Sequence, residues 1–434
     1  MPPHTLDFES NSSQGSISSN MGYSTEEIVL VTTYTHPDKL AHTPKGDNGA
    51  GLYAFKLDLA SGKLTERGSI GVSPNPAFLV KHPNLDVVYG TTECIDGPGD
   101  VLSFHVNMQA PACLDLVSRQ AAGGRSTCYL NIAADCESIT AVNYWDAKVC
   151  TMPLDSMGNV GSVCDTVVHP GAEYVDQANP DRTEHWMYRQ RWPHAHCAVT
   201  EPYSSGQGRL YVCDLGKDSI VEYELSKETG KPALTRTGEI QLESSLGPRH
   251  LIFHPHVMVA YSVNELTSSV SAFKYNRKEL NGNKEDASTP GALLEHMQTI
   301  STLPTDWQDK QTIKNGVWKA ASHCSEIRMH PSGKLLFVAN RGHDSLAIFK
   351  IDEATGALQL ASIHASNGMC PRNYNFCSNG RWVIVGNQDS NNLTVLEVDV
   401  DAGTLRQASC VPCPAPNYVY CLPRSRPLQP NAGS

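Results

Sequence analysis

Apolar and polar positions alternate along Leu246–Val270, LGPRHLIFHPHVMVAYSVNELTSSV, in two runs split by a His-Pro turn. A period of two over such short runs predicts a β-hairpin. Arg249-His250 opens the first run and Glu265 closes the second. Antiparallel neighbours place the start of one strand and the end of the next at one sheet edge. The pattern therefore predicts Arg249 and Glu265 on a common face.

The same pattern recurs along the chain. NPAFLVKHPNLDVVYGTTE, STCYLNIAADCESITAVNYWDAKV and PHAHCAVTEPYSSGQGRLYVCDLGKDSIVEYEL precede this stretch; SEIRMHPSGKLLFVANRGHDSLAIFKI and PRNYNFCSNGRWVIVGNQDSNNLTVLEV follow it. Each full unit has two alternating strands, a polar turn such as Gly-His-Asp-Ser, and a third strand such as LAIFKI. A fourth often follows an Asp/Thr-Gly-x-Leu-like signal, as at 61–64, 229–234, 355–358 and 402–405. Four short antiparallel strands per repeat is the blade pattern of a β-propeller.

First strands begin at Asn75, Ser126, Pro193, Gly247, Ser325, Pro371 and Pro416, which makes seven blades. The last unit, PNYVYCLP, has only its first strand. IVLVTTYTH at 28–36 and LYAFKLDL at 52–59 supply the rest. The expected fold is an all-β, seven-bladed β-propeller over residues 26–424, with the C-terminal strand completing the N-terminal blade. Closure of this kind removes exposed sheet edges. Residues 1–25 read as a disordered tail and 425–434 as a flexible one. Two long spacings, at 171–192 and 278–320, are expected between the fourth strand of one blade and the first of the next. That connection lies on the face of Arg249 and Glu265, where long loops tend to carry function.

Composition narrows the partners. A net charge of −11 argues against a nucleic-acid backbone. No apolar run approaches the roughly 20 residues of a membrane span, and residues 1–25 lack a signal-peptide core. The 14 cysteines are scattered through strand-like segments, so they read as reduced thiols of a cytoplasmic protein. Cys410 and Cys413 form one C-x-x-C with no second pair at zinc-site spacing. No metal and no cofactor are expected. A calcium site would draw on Glu93, Asn143, Asp214 and Glu265, but arginines are interspersed among them.

First-strand starts contribute His194, His196, Arg249, His250, Glu326 and Arg372-Asn373 to the shared face. Second-strand ends contribute Glu93, Asn143, Asp214, Asn264-Glu265, Asn340-Arg341 with His343, and Asn387-Gln388. A purely structural core would place apolar residues at most of these positions. His82, His254 and His330 recur before proline in the turns of the opposite face and read as packing residues. Asp214 reads as a turn partner, and Arg249–Glu265 has a plain alternative as an inter-strand ion pair.

The ordered set GPRH…AYSVNELTSSV, PHAH…YVCDLGKDSI, SEIRMHPSGK…ANRGHDS and PRNYNF…GNQDSNN resembles the lactonase-type seven-bladed propellers. That family includes propeller 6-phosphogluconolactonases and 3-carboxy-cis,cis-muconate lactonizing enzymes. The similarity runs from about Ile28 to Pro423, although TCYLNIAADCES lacks the usual His-Pro turn. The resemblance implies a catalytic group of His196, Arg249, Glu265 and Arg341 at one end of the channel. Arg189, within RQRWPHAH, together with His194, His250, His343, Arg372 and Gln388, is expected to bind substrate. The implied substrate is a small anionic lactone, 6-phosphogluconolactone foremost. Its opening needs a base to activate water, Glu265 or His196, and cationic donors for the developing oxyanion. A muconate cyclase and a non-catalytic binding propeller are the other readings.

Overall fold

The computed structural model describes residues 25–42, 44–172, 189–204, 208–227, 230–276, 293–307, 312–314, 317–319 and 321–423. Seven four-stranded antiparallel sheets are arranged as blades. Blade 1 joins Pro416–Cys421 to Glu26–Thr33, Gly51–Asp58 and Leu64–Gly71. Blades 2 to 7 begin with the innermost strands Pro76–Lys81, Thr127–Ile132, Ala195–Thr200, Pro248–Phe253, His323–Met329 and Pro371–Phe376. Ring closure follows the predicted route: Val29 pairs with Cys421 and Val31 with Val419.

The alternation read from the sequence is the burial pattern. Second strands such as Val259–Asn264 and Trp382–Asn387 are buried throughout, because both of their faces pack against neighbouring blades. Fourth strands such as Leu294–Ser301 are mostly exposed. Hydrogen bonds lock blade to blade. Tyr89 Oη donates to the Gly158 carbonyl at 2.7 Å, Tyr261 Oη to that of Gly356 at 2.7 Å, and Trp382 Nε1 to that of Leu59 at 2.9 Å. The His-Pro histidines do the same on their own face. His254 Nε2 meets the Gly333 carbonyl at 3.0 Å and His330 Nε2 that of Gly380 at 2.9 Å, while their Nδ1 atoms accept amides within the turn.

One feature of the channel is absent from the alternation. Every innermost strand shifts register near its start. The skipped residues are Asn417, Ala77-Phe78, Cys128, His196, Arg249, Ser325-Glu326 and Arg372 in blades 1 to 7. A bulge leaves residues out of the ladder and re-aims side chains. Here it places one or two residues per blade at the channel.

The second long spacing departs from its expected place. Strand Leu294–Ser301, the fourth of blade 5, divides 278–320. The third strand ends at Tyr275 and the fourth begins at Leu294, both on the face opposite Glu265, so the first part of this spacing falls within blade 5. Residues 302–322 alone connect blade 5 to blade 6, and they carry a small hairpin, Thr312–Lys314 with Val317–Lys319. The strand escaped the sequence pattern because its outward face is mostly polar and a proline interrupts the Thr-Gly-x-Leu signal before it, as Thr289-Pro290-Gly291-Ala292-Leu293. The expected tails, apart from Thr25, lie outside the described residues, as do 173–188 of the first long spacing.

Candidate active site

Glu265 directly follows the second strand of blade 5, 1 % exposed, and three arginines converge on it. Arg249 Nη1 lies 2.5 Å from Oε2, while Arg189 Nη2 and Arg341 Nη2 lie 2.6 and 2.8 Å from Oε1. Arg249 comes from the bulge of the same blade. Arg341 comes from the second strand of blade 6, where Nη2 also donates to the Cys324 carbonyl at 2.9 Å. Arg189 reaches in from the connection before blade 4. Gly342 permits the close approach of the connection beside Arg341: its φ is +97°, and a Cβ there would meet the Ala321 carbonyl oxygen at 2.0 Å.

Burial would raise the Glu265 carboxyl, but Arg189, Arg341 and Arg249 together hold it well below the usual carboxylate range. It is an anion that orients guanidiniums. Nε of Arg249 and Nε of Arg341 are buried and meet no acceptor among the described residues. Buried donors of this kind are costly unless a ligand or water completes them.

Beside this cluster lie His196 and Tyr144. His196, 6 % exposed, sits in the bulge of blade 4. Its ring meets Tyr144 edge-on at 5.1 Å and His250 at 5.1 Å, and its Nδ1 is 3.9 Å from Cys128 Sγ. Burial, then Arg249 and His250, push its imidazole well below its ordinary value, so the ring is neutral at pH 7. Tyr144 Oη accepts Arg189 Nε at 3.0 Å, tying Arg189 to the histidine's neighbour.

Arg372 approaches from blade 7. It faces Glu93 at 3.9 Å and stacks over the Tyr34 ring at 5.2 Å. Tyr34 Oη donates to Glu93 at 3.0 Å. Arg341 ends the second strand of blade 6 and Arg372 lies in the bulge at the start of the first strand of blade 7, so the two clusters share one mouth.

The remaining sequence candidates are placed elsewhere. His194 stacks flat on Tyr144 at 4.6 Å and its Nδ1 meets the Tyr144 carbonyl at 3.1 Å, so it supports Tyr144 from behind. His343 bonds Ser345 at 2.7 Å and packs against Trp307. Gln388 is buried and donates to Asp389 at 2.8 Å. His250 turns to Glu326, its Nδ1 3.1 Å from Oε1. Glu326, expected on the face of Arg249, instead meets His250 and lines the cavity at the other end of the channel.

The recurring strand-end asparagines are braces. Asn143 Nδ2 donates to the Ala122 carbonyl at 3.3 Å, Asn340 Nδ2 to that of Thr302 at 3.0 Å, and Asn387 Nδ2 to that of Ser366 at 3.3 Å. Asp214 takes the amides of His194, Gly216 and Lys217, together with His169 Nδ1 at 2.5 Å. Glu93, Asn143, Asp214 and Glu265 thus have separate partners and do not form a calcium set. Tyr144, which links Arg189 to His196, was missed by the sequence reading. Its only signal was its position directly after Asn143 at a second-strand end.

Residues 28–421 match the family model described as lactonase, 7-bladed beta-propeller. The chain belongs to this seven-bladed propeller lactonase family. A 6-phosphogluconolactonase of Bacillus subtilis is 28 % identical over 381 residues, covering 88 % of this chain and 94 % of the relative. One of Formosa agariphila is 26 % identical over 363 residues, 83 % of this chain and 91 % of the relative. The solved structure of the Pseudomonas aeruginosa periplasmic gluconolactonase PpgL aligns with a TM-score of 0.74 at 23 % identity, covering 91 % of this chain and 98 % of that one, and so shares its fold. Among the described residues of this lactonase-family chain, no helix is long and apolar enough to cross a membrane.

Proposed function

We propose that this lactonase-family propeller hydrolyses a sugar-acid lactone bearing a remote anionic group, with 6-phosphogluconolactone as substrate and 6-phosphogluconate as product. One observation carries the reading. Four arginines (189, 249, 341 and 372) meet two carboxylates (Glu265 and Glu93) at one channel mouth. Two positive charges are left over, which suits a phosphate dianion or two carboxylates. The names of the Bacillus and Formosa relatives support the phosphorylated substrate.

The contacts and charges of the site support a division of roles. Both oxygens of Glu265 are engaged by three arginines, whereas His196 is neutral and next to the cluster, so His196 takes the proton of the attacking water. Arg249 stabilises the oxyanion, using the Nε–H that has no acceptor among the described residues. Arg189, Arg341 and Arg372 hold the remote anion. His196 then returns its proton to the ring oxygen as the acyl C–O bond breaks. Arg249 beside it disfavours the imidazolium and so drives that return. Cyclisation of a muconate needs an acid to protonate carbon. An ionised Glu265 and a neutral His196 do not supply one, which favours hydrolysis.

The test is a lactone panel, phosphorylated against unphosphorylated, at a pH where spontaneous opening is slow. The expected result is faster loss of 6-phosphogluconolactone than of gluconolactone, abolished in His196→Ala with the fold retained. Equal rates with and without protein, for every lactone tried, would overturn the reading in favour of a binding propeller.

A further inference from the structure

Below the arginine cluster the channel holds buried titratable groups for which lactone opening at His196 has no task. Glu326 is 4 % exposed. Its Oε1 accepts the Ile327 amide at 3.1 Å and faces His250 Nδ1 at 3.1 Å. Its Oε2 accepts Asn373 Nδ2 and lies 3.5 Å from Arg328 Nη2. Burial would raise this carboxyl, but Arg328 and His250 hold it below the usual range. An ionised carboxylate only accepts, so the bond to His250 requires the proton on Nδ1. Burial keeps His250 below its ordinary value although Glu326 pulls the other way. The ring is therefore neutral at pH 7, with a bare Nε2.

His250 stands between two compartments. On one side its ring meets His196 edge-on at 5.1 Å. On the other, His250 and Glu326 line a cavity of about 530 Å³ at the end of the channel that carries the His-Pro turns, together with Tyr129, Arg328 and Tyr418. That cavity has two carboxylates, Glu27 and Glu326, against one arginine. The charge balance of the two mouths is opposite.

Lactone hydrolysis at neutral pH gives a carboxylate and one net proton. When that proton forms, the product fills the arginine mouth, and guanidiniums repel a cation. We propose that His250 carries this proton out of the site, and that Glu326 is the positioning residue that fixes its tautomer. The inference rests on the lactonase reading. The O–H bond of the newly formed carboxylic acid breaks. Its proton moves to His250 Nε2 through His196 or solvent, giving an imidazolium paired with Glu326. The Nε2–H bond of the imidazolium then breaks and that proton passes to solvent in the far cavity, while Nδ1–H stays hydrogen-bonded to Glu326.

Two variants separate this role from a structural one. His250→Asn keeps a donor near the Nδ1 position but carries no proton; Glu326→Gln removes the anion and keeps the volume. Initial rates at pH 7 are measured with 6-phosphogluconolactone at rising imidazole concentration, less the spontaneous rate. The expected result is a kcat at least about tenfold lower in both variants, with KM within about twofold. Imidazole should restore kcat in the variants and leave the wild type unchanged. The rate–pH profile of Glu326→Gln should move, since Glu326, Arg249 and Arg328 set the charge at His250, with His196 and Tyr129 also against its ring. A His250→Asn protein at the wild-type rate, or slow variants that imidazole does not rescue, would overturn the proposal.

A second measurement needs no turnover. The ¹⁵N shifts of the wild-type imidazole should show protonated Nδ1 and bare Nε2 at His250. The opposite tautomer overturns the pair's role even if the protein opens lactones. A wild type that opens none fails the lactonase reading itself, and the proton role falls with it.

Discussion

Arg249 and Glu265 are 16 positions apart in sequence and 2.5 Å apart in space, Nη1 to Oε2. The hairpin of blade 5 brings them together, and the bulge at Arg249 turns that side chain out of the ladder. As an isolated ion pair they would only brace one blade. Arg189 and Arg341 on the other carboxylate oxygen make Glu265 the hub of a cationic site.

Removing the hub should cost both activity and stability. Glu265→Gln leaves three arginines facing each other without their anion. Breaking a buried pair from one side costs about 3–5 kcal/mol. A denaturant titration should show that loss. Inorganic phosphate should raise the melting temperature of the variant more than that of the wild type, since the vacated mouth is then more positive.

Shortening the oxyanion donor should act on kcat. Arg249→Lys keeps a charge but loses the planar fork and the Nε donor. Loss of one such donor lowers kcat by about 10²–10³. Arg372→Lys, facing Glu93 at 3.9 Å and remote from the reacting carbonyl in this reading, should raise KM more than it lowers kcat. Equal effects of the two substitutions on kcat would contradict the division of roles.

Acid should weaken the fold before the carboxylates titrate. The imidazoles of His196 and His250 are below their ordinary value when folded. The unfolded chain binds their protons at about pH 6.5 and the folded chain does not. Their contribution is complete above pH 6.5 and is lost as pH falls from there toward the folded values. Glu265 adds a second loss at lower pH. Its stabilisation is complete above about pH 4.3 and disappears as pH falls through its depressed folded value. Unfolding midpoints from pH 8 to pH 4 should therefore begin to fall near pH 6.5, and less steeply in His196→Gln.

Ring closure should be essential. Deleting residues 416–434 removes the strand whose Val419 and Tyr418 are buried, and exposes the edge of Glu26–Thr33. The expected product is aggregated or lacks a cooperative thermal transition, because a free edge invites pairing with other chains. By contrast, Tyr261→Phe removes one bond between blades 5 and 6, at about 0.5–1.5 kcal/mol, with lactone opening unchanged.

The repeat, the ring closure and the common face of Arg249, Glu265, His196 and Arg341 are legible in the sequence, because a two-residue period is local and assigns each side chain to a face. Leu294–Ser301 was not legible, since its exposed outer edge has little apolar alternation to show. Nor was the structural use of Asn143, Asn340 and Asn387. Their acceptors are main-chain carbonyls, and any residue type presents the same carbonyl.

What the sequence by itself determined was therefore the architecture and the end of the channel where chemistry gathers. Only the tertiary structure decided which groups meet. Register shifts in all seven innermost strands depend on backbone geometry that no side-chain pattern records, and they leave His196, Arg249 and Glu326 out of the ladder. Arg189 with Tyr144 and His250 with Glu326 pair across different blades, 45 and 76 positions apart. Such contacts exist only once the ring has closed, so the charge of Glu265 and the neutrality of His196 are properties of the folded channel.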